Sequence, residues 1–378
     1  MQYDMASSQK HIQDTTPSIT SHNEAQPGIE SYPLVFTGTT GEYFRIWIVN
    51  VFLTIVTLGV YAAWAKVRTR QYFYANTRLA GQVFSYLGNP MAILKGNFII
   101  GGGVAIYLIV KEFVPMFAGI IGMLLYLAFP FLIYKSLRFN MHNSAYRNIR
   151  LRFLGTLGEA YTTYILYPIL IPFTLGTIVP YWEFRRKKYF FNNLAFGTTG
   201  AIFGGRPGPF YLAYFMVFLM FIGLMFLIGI FTAGGTALIA FKHMAFSAHP
   251  QFPKGFFMLI FFIVYPILLA MIFAIQQYLY GKLMNYCWGE TRMGKLRFQS
   301  TLSVWRLIWI RISSLFAIIF TIGLLAPWAK VRRVRYILEN ITVVAEGSLD
   351  TFTASIEPDE KSAIGDAATD FFDIDIGL

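Results

Sequence analysis

The sequence predicts an all-α membrane protein. The expected form is a multi-pass helical bundle with an internal threefold sequence repeat, broken or re-entrant helices, and short cytoplasmic β-strands. Three observations lead there. Of 378 residues, 56% are hydrophobic and 13% charged, whereas soluble domains carry about 25% charged residues. Several apolar runs approach or exceed the roughly 20 residues that a bilayer-crossing helix needs. One stretch, Thr57 to Asn76, occurs three times.

In its first copy that stretch reads Thr57-Leu58-Gly59, then Trp64, Lys66, Arg68, Tyr72 and Asn76. The second copy places Thr174, Gly176, Tyr181, Glu183, Arg185, Tyr189 and Asn193 at the same offsets, and the third Thr321, Gly323, Trp328, Lys330, Arg332, Tyr336 and Asn340. Each copy ends an apolar segment, sets an aromatic at its boundary and follows with bases, which is the chemistry of a membrane interface. An entry signal precedes each copy: Phe36, Phe153 and Phe298 stand 21, 21 and 23 residues before the Thr. Two marks at near-constant separation indicate a repeat. The repeats cover about 36–152, 153–297 and 298–349, inside a membrane domain of residues 34–349.

Taken in order, residues 1–33 are polar and read as a disordered tail. They have no basic start followed by an apolar run, so they are not read as a cleavable signal peptide. Val35 to Thr39 alternates like a short strand and leads into the apolar segment Ile46–Ala65. Residues 97–134 hold two apolar runs split by Lys111-Glu112 and Pro115. Residues 210–231 form an uninterrupted span. Residues 232–247, with Gly234-Gly235 and Lys242, read as an interfacial or partly inserted helix, and Phe256–Tyr278 is the next span. Short alternating pieces flank these segments, among them 78–86, 149–153, 194–196, 295–298 and 341–352. Period-2 alternation beside turn residues predicts strands that pair into a small sheet under the bilayer.

The net charge is +12, but residues 350–378 hold eight acids and one base. This acidic C-terminal tail leaves the rest strongly basic. Five loops (66–95, 135–160, 183–209, 280–303, 329–349) contain 23 of the 31 Lys and Arg, which predicts that they and the C-terminus are cytoplasmic. The segment Ala160–Trp182 then enters and leaves on one side. Gly59, Gly176, Gly323 and the prolines 168, 172, 180 and 327 supply the breaks, and broken backbone at membrane depth is tolerated where protein buries it. Three in-and-back or broken segments with two spanning hairpins result. Seven spans with the N-terminus outside is the alternative.

The motif Gly59-x4-Trp64-x-Lys66-x-Arg68, with Tyr72-Phe73-Tyr74-x-Asn76-Thr77-Arg78-Leu79-x-Gly81, resembles the YjgN-like family of bacterial inner-membrane proteins. Gly88-Asn89-Pro90 and Leu94-Lys95-Gly96 are similar to it as well, and the resemblance runs from about Phe36 to Phe352. It implies a multi-pass protein of the bacterial cytoplasmic membrane and supplies no catalytic residues. The second copy departs from the motif, with Tyr181 for Trp64 and Glu183 for Lys66.

Residue chemistry points to binding. Lys66, Arg68, Tyr72, Lys330, Arg332 and Tyr336 are candidate contacts for an anionic lipid or solute. The competing reading is topological anchoring, with Trp64, Tyr181 and Trp328 as interface anchors. Asn76, Asn193 and Asn340 are expected to close helices. Glu112, Glu159 and Glu183 sit at segment edges and read as interfacial carboxylates, Glu183 pairing with the run from Arg185 to Lys188. His142, His243 and His249 lack ligand spacing, and Ser247, Ser313 and Ser314 lack a nucleophile's flanking glycines. Cys287 reads as a buried thiol. Neither catalysis nor a metal or other cofactor is expected, nor a nucleic-acid partner, because the bases hug the ends of apolar segments. The expected partners are membrane lipids, anionic ones in particular. Repeats and broken helices suggest a transporter or channel-like protein for small solutes. A non-transporting module that binds anionic lipid or assembles protein partners is the other class.

Overall fold

The computed structural model describes residues 28–246 and 254–346. The acidic segment 350–378, most of 1–33, and Ser247 and His249 lie outside them. The structure corrects the all-α expectation, because an 11-stranded antiparallel sheet organises the whole molecule.

Five helix pairs alternate with the strands. The first pair is α1 (Thr40–Val56) and α2 (Ala62–Ala75), the second α3 (Pro90–Phe113) and α4 (Pro115–His142). The third comprises α5 (Leu157–Tyr161), a π-helical turn (Thr162–Leu166), α6 (Tyr167–Phe173) and α7 (Val179–Phe191). The fourth is α8 (Gly208–Phe246) and α9 (Lys254–Gly289), the fifth α10 (Val304–Phe320) and α11 (Ala326–Glu339). Neighbouring pairs pack through α2 on α3, α4 on α5, α7 on α8, α9 on α10 and α11 on α1, so the five close into a circle. Among the described residues, four helices are long and apolar enough to cross a membrane: Pro90–Phe113, Pro115–His142, Gly208–Gly234 and Pro266–Gly289. α8 runs unbroken through the stretch expected to be a separate interfacial helix.

The strands sit at one end of the pairs. β1 (Ile29–Pro33) and β2 (Val35–Phe36) precede α1, while β3 (Thr77–Leu79) and β4 (Gln82–Tyr86) join the first pair to the second. β5 (Ser144–Tyr146) with β6 (Ile149–Phe153), β7 (Leu194–Phe196) with β8 (Thr199–Phe203), and β9 (Thr291–Met293) with β10 (Leu296–Ser300) make the next three hairpins, and β11 (Ile341–Glu346) follows α11. From β2 to β11 each strand pairs with the next in sequence, and β11 also pairs with β1, Ile29 opposite Glu346. Only Leu34 separates β1 from β2, and its N–H donates to the Ile341 carbonyl at 3.0 Å. One short strand thus pairs with β11 by its first half and with β3 by its second, bringing the two ends of the sheet together as a ring.

Local chemistry explains the hairpins. Ala80-Gly81 and Arg147-Asn148 have positive φ at both central residues, as a type I′ turn requires. Gly197 and Gly294 have it at the first, as in type II′. One backbone bond recurs five times at the ring: the carbonyls of Asn76, Asn143, Asn193, Glu290 and Asn340 accept from the N–H groups of Thr37, Leu87, Leu154, Gly204 and Thr301, at 2.8–3.0 Å. Four of those residues are Asn, each donating its side-chain amide to the carbonyl four residues earlier. That closes the preceding helix and starts the strand in one step.

The short pairs break alike at their tips. Thr57, Thr174 and Thr321 donate their hydroxyls to the helix behind, and the N–H of Gly59, Gly176 and Gly323 reaches the carbonyl five residues back at 2.8–3.0 Å. Those glycines have φ near +90°, +81° at Gly176, a region open to glycine at low cost.

Candidate functional site: a cation-bearing lumen

Inside the ring, and continuing between the helix pairs above it, lies a cavity of about 1100 Å³. Pockets for drug-sized ligands run to about 1,000 Å³, so this one is spacious. Strand alternation builds its wall, since successive side chains point to opposite faces. Leu79, Tyr146, Leu151, Phe196, Met293 and Val343 are among the inward residues. Arg78, Arg150, Arg152, Arg292 and Arg297 occupy intervening positions and are not part of the lining. The bases that mark the rich loops thus coat the outside of the ring, while its inside is apolar and aromatic.

Above the ring the wall becomes cationic. Lys66, Thr69, Arg70 and Phe73 line the cavity from α2 and Thr77 from the start of β3, and the spacing of three and four puts the first four on one helix face. From Ala65 to Tyr74 this face is about 14 Å long at 1.5 Å per residue. Lys330 joins from α11, its Nζ 5.3 Å from the centre of the Phe73 ring and 5.7 Å from that of Tyr43. Arg147 contributes from the β5–β6 turn. Among the described residues that line the cavity there are four cations and no Asp or Glu. Arg70 is held by hydrogen bonds to Asn140 Oδ1 (2.7 Å) and Tyr86 Oη (2.8 Å), with its guanidinium 5.2 Å from the Tyr86 ring centre. Asn50 Oδ1 and Trp288 Nε1, both on lining residues, are buried polar atoms with no hydrogen-bond partner.

Of the six contact residues named from sequence, the structure brings Lys66 and Lys330 to this lumen and places the others elsewhere. Arg68 donates to Tyr61 Oη at 3.2 Å. Arg332 donates to Ser313 Oγ at 2.7 Å and lies over the Trp328 ring. The Tyr72 hydroxyl donates to the Thr39 carbonyl at 2.7 Å, tying α2 to the start of α1. Burial, then the Glu42 carboxylate beside it, pushes the Tyr72 phenol up to about 12. It therefore stays a donor at neutral pH. Tyr336 makes the equivalent tie, accepting from the Ser303 N–H at 2.8 Å. Of the interface anchors, Trp64 stacks on Tyr61 and Tyr181 packs edge-on against Tyr167. Glu183 pairs with Arg186 at 2.9 Å, so the second copy spends its charge internally. Sequence reading missed Arg70 and Arg147. Arg70 was within reach, since it lies one helical turn beyond Lys66; Arg147 enters only through the ring's closure.

Comparisons with known proteins follow this geometry. A family described as "Bacterial protein of unknown function (DUF898)" matches residues 31–371. The chain belongs to this family. The chain is 32% identical over 156 residues to inner membrane protein YjgN of Escherichia coli (strain K12), covering 40% of this chain and 38% of that protein. It is 26% identical over 209 residues to inner membrane protein YjgN of Salmonella typhimurium (strain LT2), covering 54% of this chain and 46% of that one. The chain thus spans less than half the length of these curated relatives. The resemblance of the Gly59–Gly81 motif to YjgN-like proteins stands. No solved structure matches the chain.

Proposed function

We propose that this DUF898 member is an integral inner-membrane protein that holds an anionic amphiphile, of the phospholipid or fatty-acid kind, in its central lumen. One observation carries the reading: among the described residues, four cations and no carboxylate on the wall of a cavity whose remainder is largely apolar and aromatic. The apolar ring suits acyl chains, and burying them is favourable at about 25 cal/mol per Å². The cations suit a phosphate or carboxylate, and the low dielectric of an apolar wall strengthens that attraction. The Asn50 amide and Trp288 indole offer further polar positions on the wall. The long helices anchor the protein and the arginine-coated ring lies on the cytoplasmic side, as the distribution of bases supports.

The test is native mass spectrometry of the protein purified from membranes. Wild type should retain an anionic amphiphile, and the Lys66→Ala/Lys330→Ala double variant should lose at least tenfold of it. Equal retention by both overturns the reading. A second reading is passage through the lumen. It draws on the continuity of the cavity from Thr54 on α1 to Arg147 at the turn end of the ring. Lipid or fatty-acid flux in proteoliposomes, lost in the same variant, supports passage; retention without flux leaves a binding module.

A further inference from the structure

The first helices of the three short pairs begin alike, except at one position. Thr39 and Thr156 cap α1 and α5, and three residues on Glu42 and Glu159 complete capping boxes. Ser303 holds the N-cap position of α10 without a side-chain cap bond, and three residues on stands Arg306. The charge is reversed at an equivalent place. Trp305 and Trp309 flank it, where the first pair has Gly41 and Arg45 and the second has Gly158 and Thr162.

Both tryptophans are exposed, Trp305 by 81% and Trp309 by 65%. With Arg306, Arg332 and Arg335 they border a cavity of about 730 Å³ on the outer side of α10 and α11, where Glu339 is the sole carboxylate in the lining among the described residues. Arg306 lies 5.9 Å from the Tyr336 ring centre, and Arg335 donates to the Gly38 carbonyl at 2.7 Å. A guanidinium has five N–H donors, so such a bond leaves others to offer. Phe316 and Phe320, also exposed, continue the tryptophan line toward the tip at spacings of seven and four, hence on one helix face.

We infer that this groove is a second lipid site, separate from the lumen. The phosphate of an anionic phospholipid lies between Arg306 and Arg335, with Trp305 and Trp309 at headgroup level and acyl chains along Phe316 and Phe320. Arginine matches phosphate oxygens in a bidentate fork, and tryptophan belongs where one end of a ring is apolar and the other wet. The aromatic stripe selects a lipid over free phosphate, which has no use for it.

The full chain in phosphatidylcholine nanodiscs containing phosphatidylglycerol provides the test. Brominated phosphatidylglycerol and brominated phosphatidylcholine are compared as quenchers of Trp305 and Trp309, their signal isolated by difference from the Trp305→Phe/Trp309→Phe variant. Wild type should prefer phosphatidylglycerol by about tenfold, the loss expected on removing one charge-assisted contact. Arg306→Glu restores the acid of the other two short pairs, so it keeps the helix start and should abolish the preference. An unchanged preference in Arg306→Glu, or its removal from wild type by inorganic phosphate, overturns the inference. The Lys66→Ala/Lys330→Ala variant should keep the preference, so failure of the lumen reading is distinguishable from failure of this one.

Discussion

The three short helix pairs and the two long ones share a foot and differ above it. All five rise from the same backbone bond at the ring. The long pairs then put single apolar helices of 24 to 39 residues into place, and α3 carries only Lys95, Lys111 and Glu112 as charges. The short pairs divide the labour between two helices. In the first and fifth, the apolar helices α1 and α10 present exposed Phe52, Val56, Phe316 and Ile319 outward. α2 and α11 behind them carry three and four bases. Their lumen-facing cations come from those second helices. One foot thus supports two designs: long apolar helices in the long pairs, and lumen-facing cations in the first and fifth short pairs. The third pair is the informative exception, because its Glu183–Arg186 ion pair and its core packing fill the space that the first and fifth leave open.

Four changes break or sharpen this comparison, the largest first. Lys66→Ala with Lys330→Ala should weaken amphiphile retention ten- to a hundredfold, since a charged hydrogen bond contributes about 1.5–3 kcal/mol. Lys111→Ala, on a long pair, should leave it unchanged in the same mass-spectrometric assay. Gly155→Ala should cost about 1–3 kcal/mol by thermal denaturation, as overpacking does, because a Cβ there would stand 2.5 Å from the Phe153 ring and 2.9 Å from Tyr189. Gly59→Val should cost about 1–3 kcal/mol through strain at a positive φ, whereas Gly119→Val in α4, where a Cβ meets open space, should change Tm little. Thr39→Ala should cost about 1 kcal/mol by loss of its cap, and a smaller effect of Ser303→Ala is expected because the Ser303 side chain makes no cap bond.

Much of the local structure was legible. The Gly-centred tips, the prolines starting α3 and α4, and the alternation of 149–153 each reflect chemistry within a few residues. The ring was not, and the all-α expectation failed for that reason. Its strands are two to six residues long, and closure depends on Ile29 meeting Glu346 across more than three hundred residues. No local period encodes that pairing. One signal was present and passed over: Asn143 and Glu290 precede their strands as Asn76, Asn193 and Asn340 do, so the foot occurs five times where the tip occurs three. Counting feet instead of tips points to five strand segments, four hairpins and the single strand β11, and hence to a larger sheet. Of the lumen's cations, Lys66 and Lys330 were named from their place in the repeat, whereas the helix face read from sequence, Arg68 with Tyr72, lies outside the lining. The apolar half of the lumen was not legible, since it exists only once the strands have closed.

The central claim is that the lumen holds an anionic amphiphile, and Trp288 gives the most direct view of it. Its ring lines the lumen at the end of α9 next to β9, away from the lipid-facing helix surfaces. Quenching of Trp288, taken as the difference between wild type and Trp288→Phe, is measured with brominated phosphatidylglycerol and with brominated phosphatidylcholine. The account predicts saturable quenching by the anionic lipid alone, lost in Lys66→Ala/Lys330→Ala. No quenching, or equal quenching by both lipids, would contradict it.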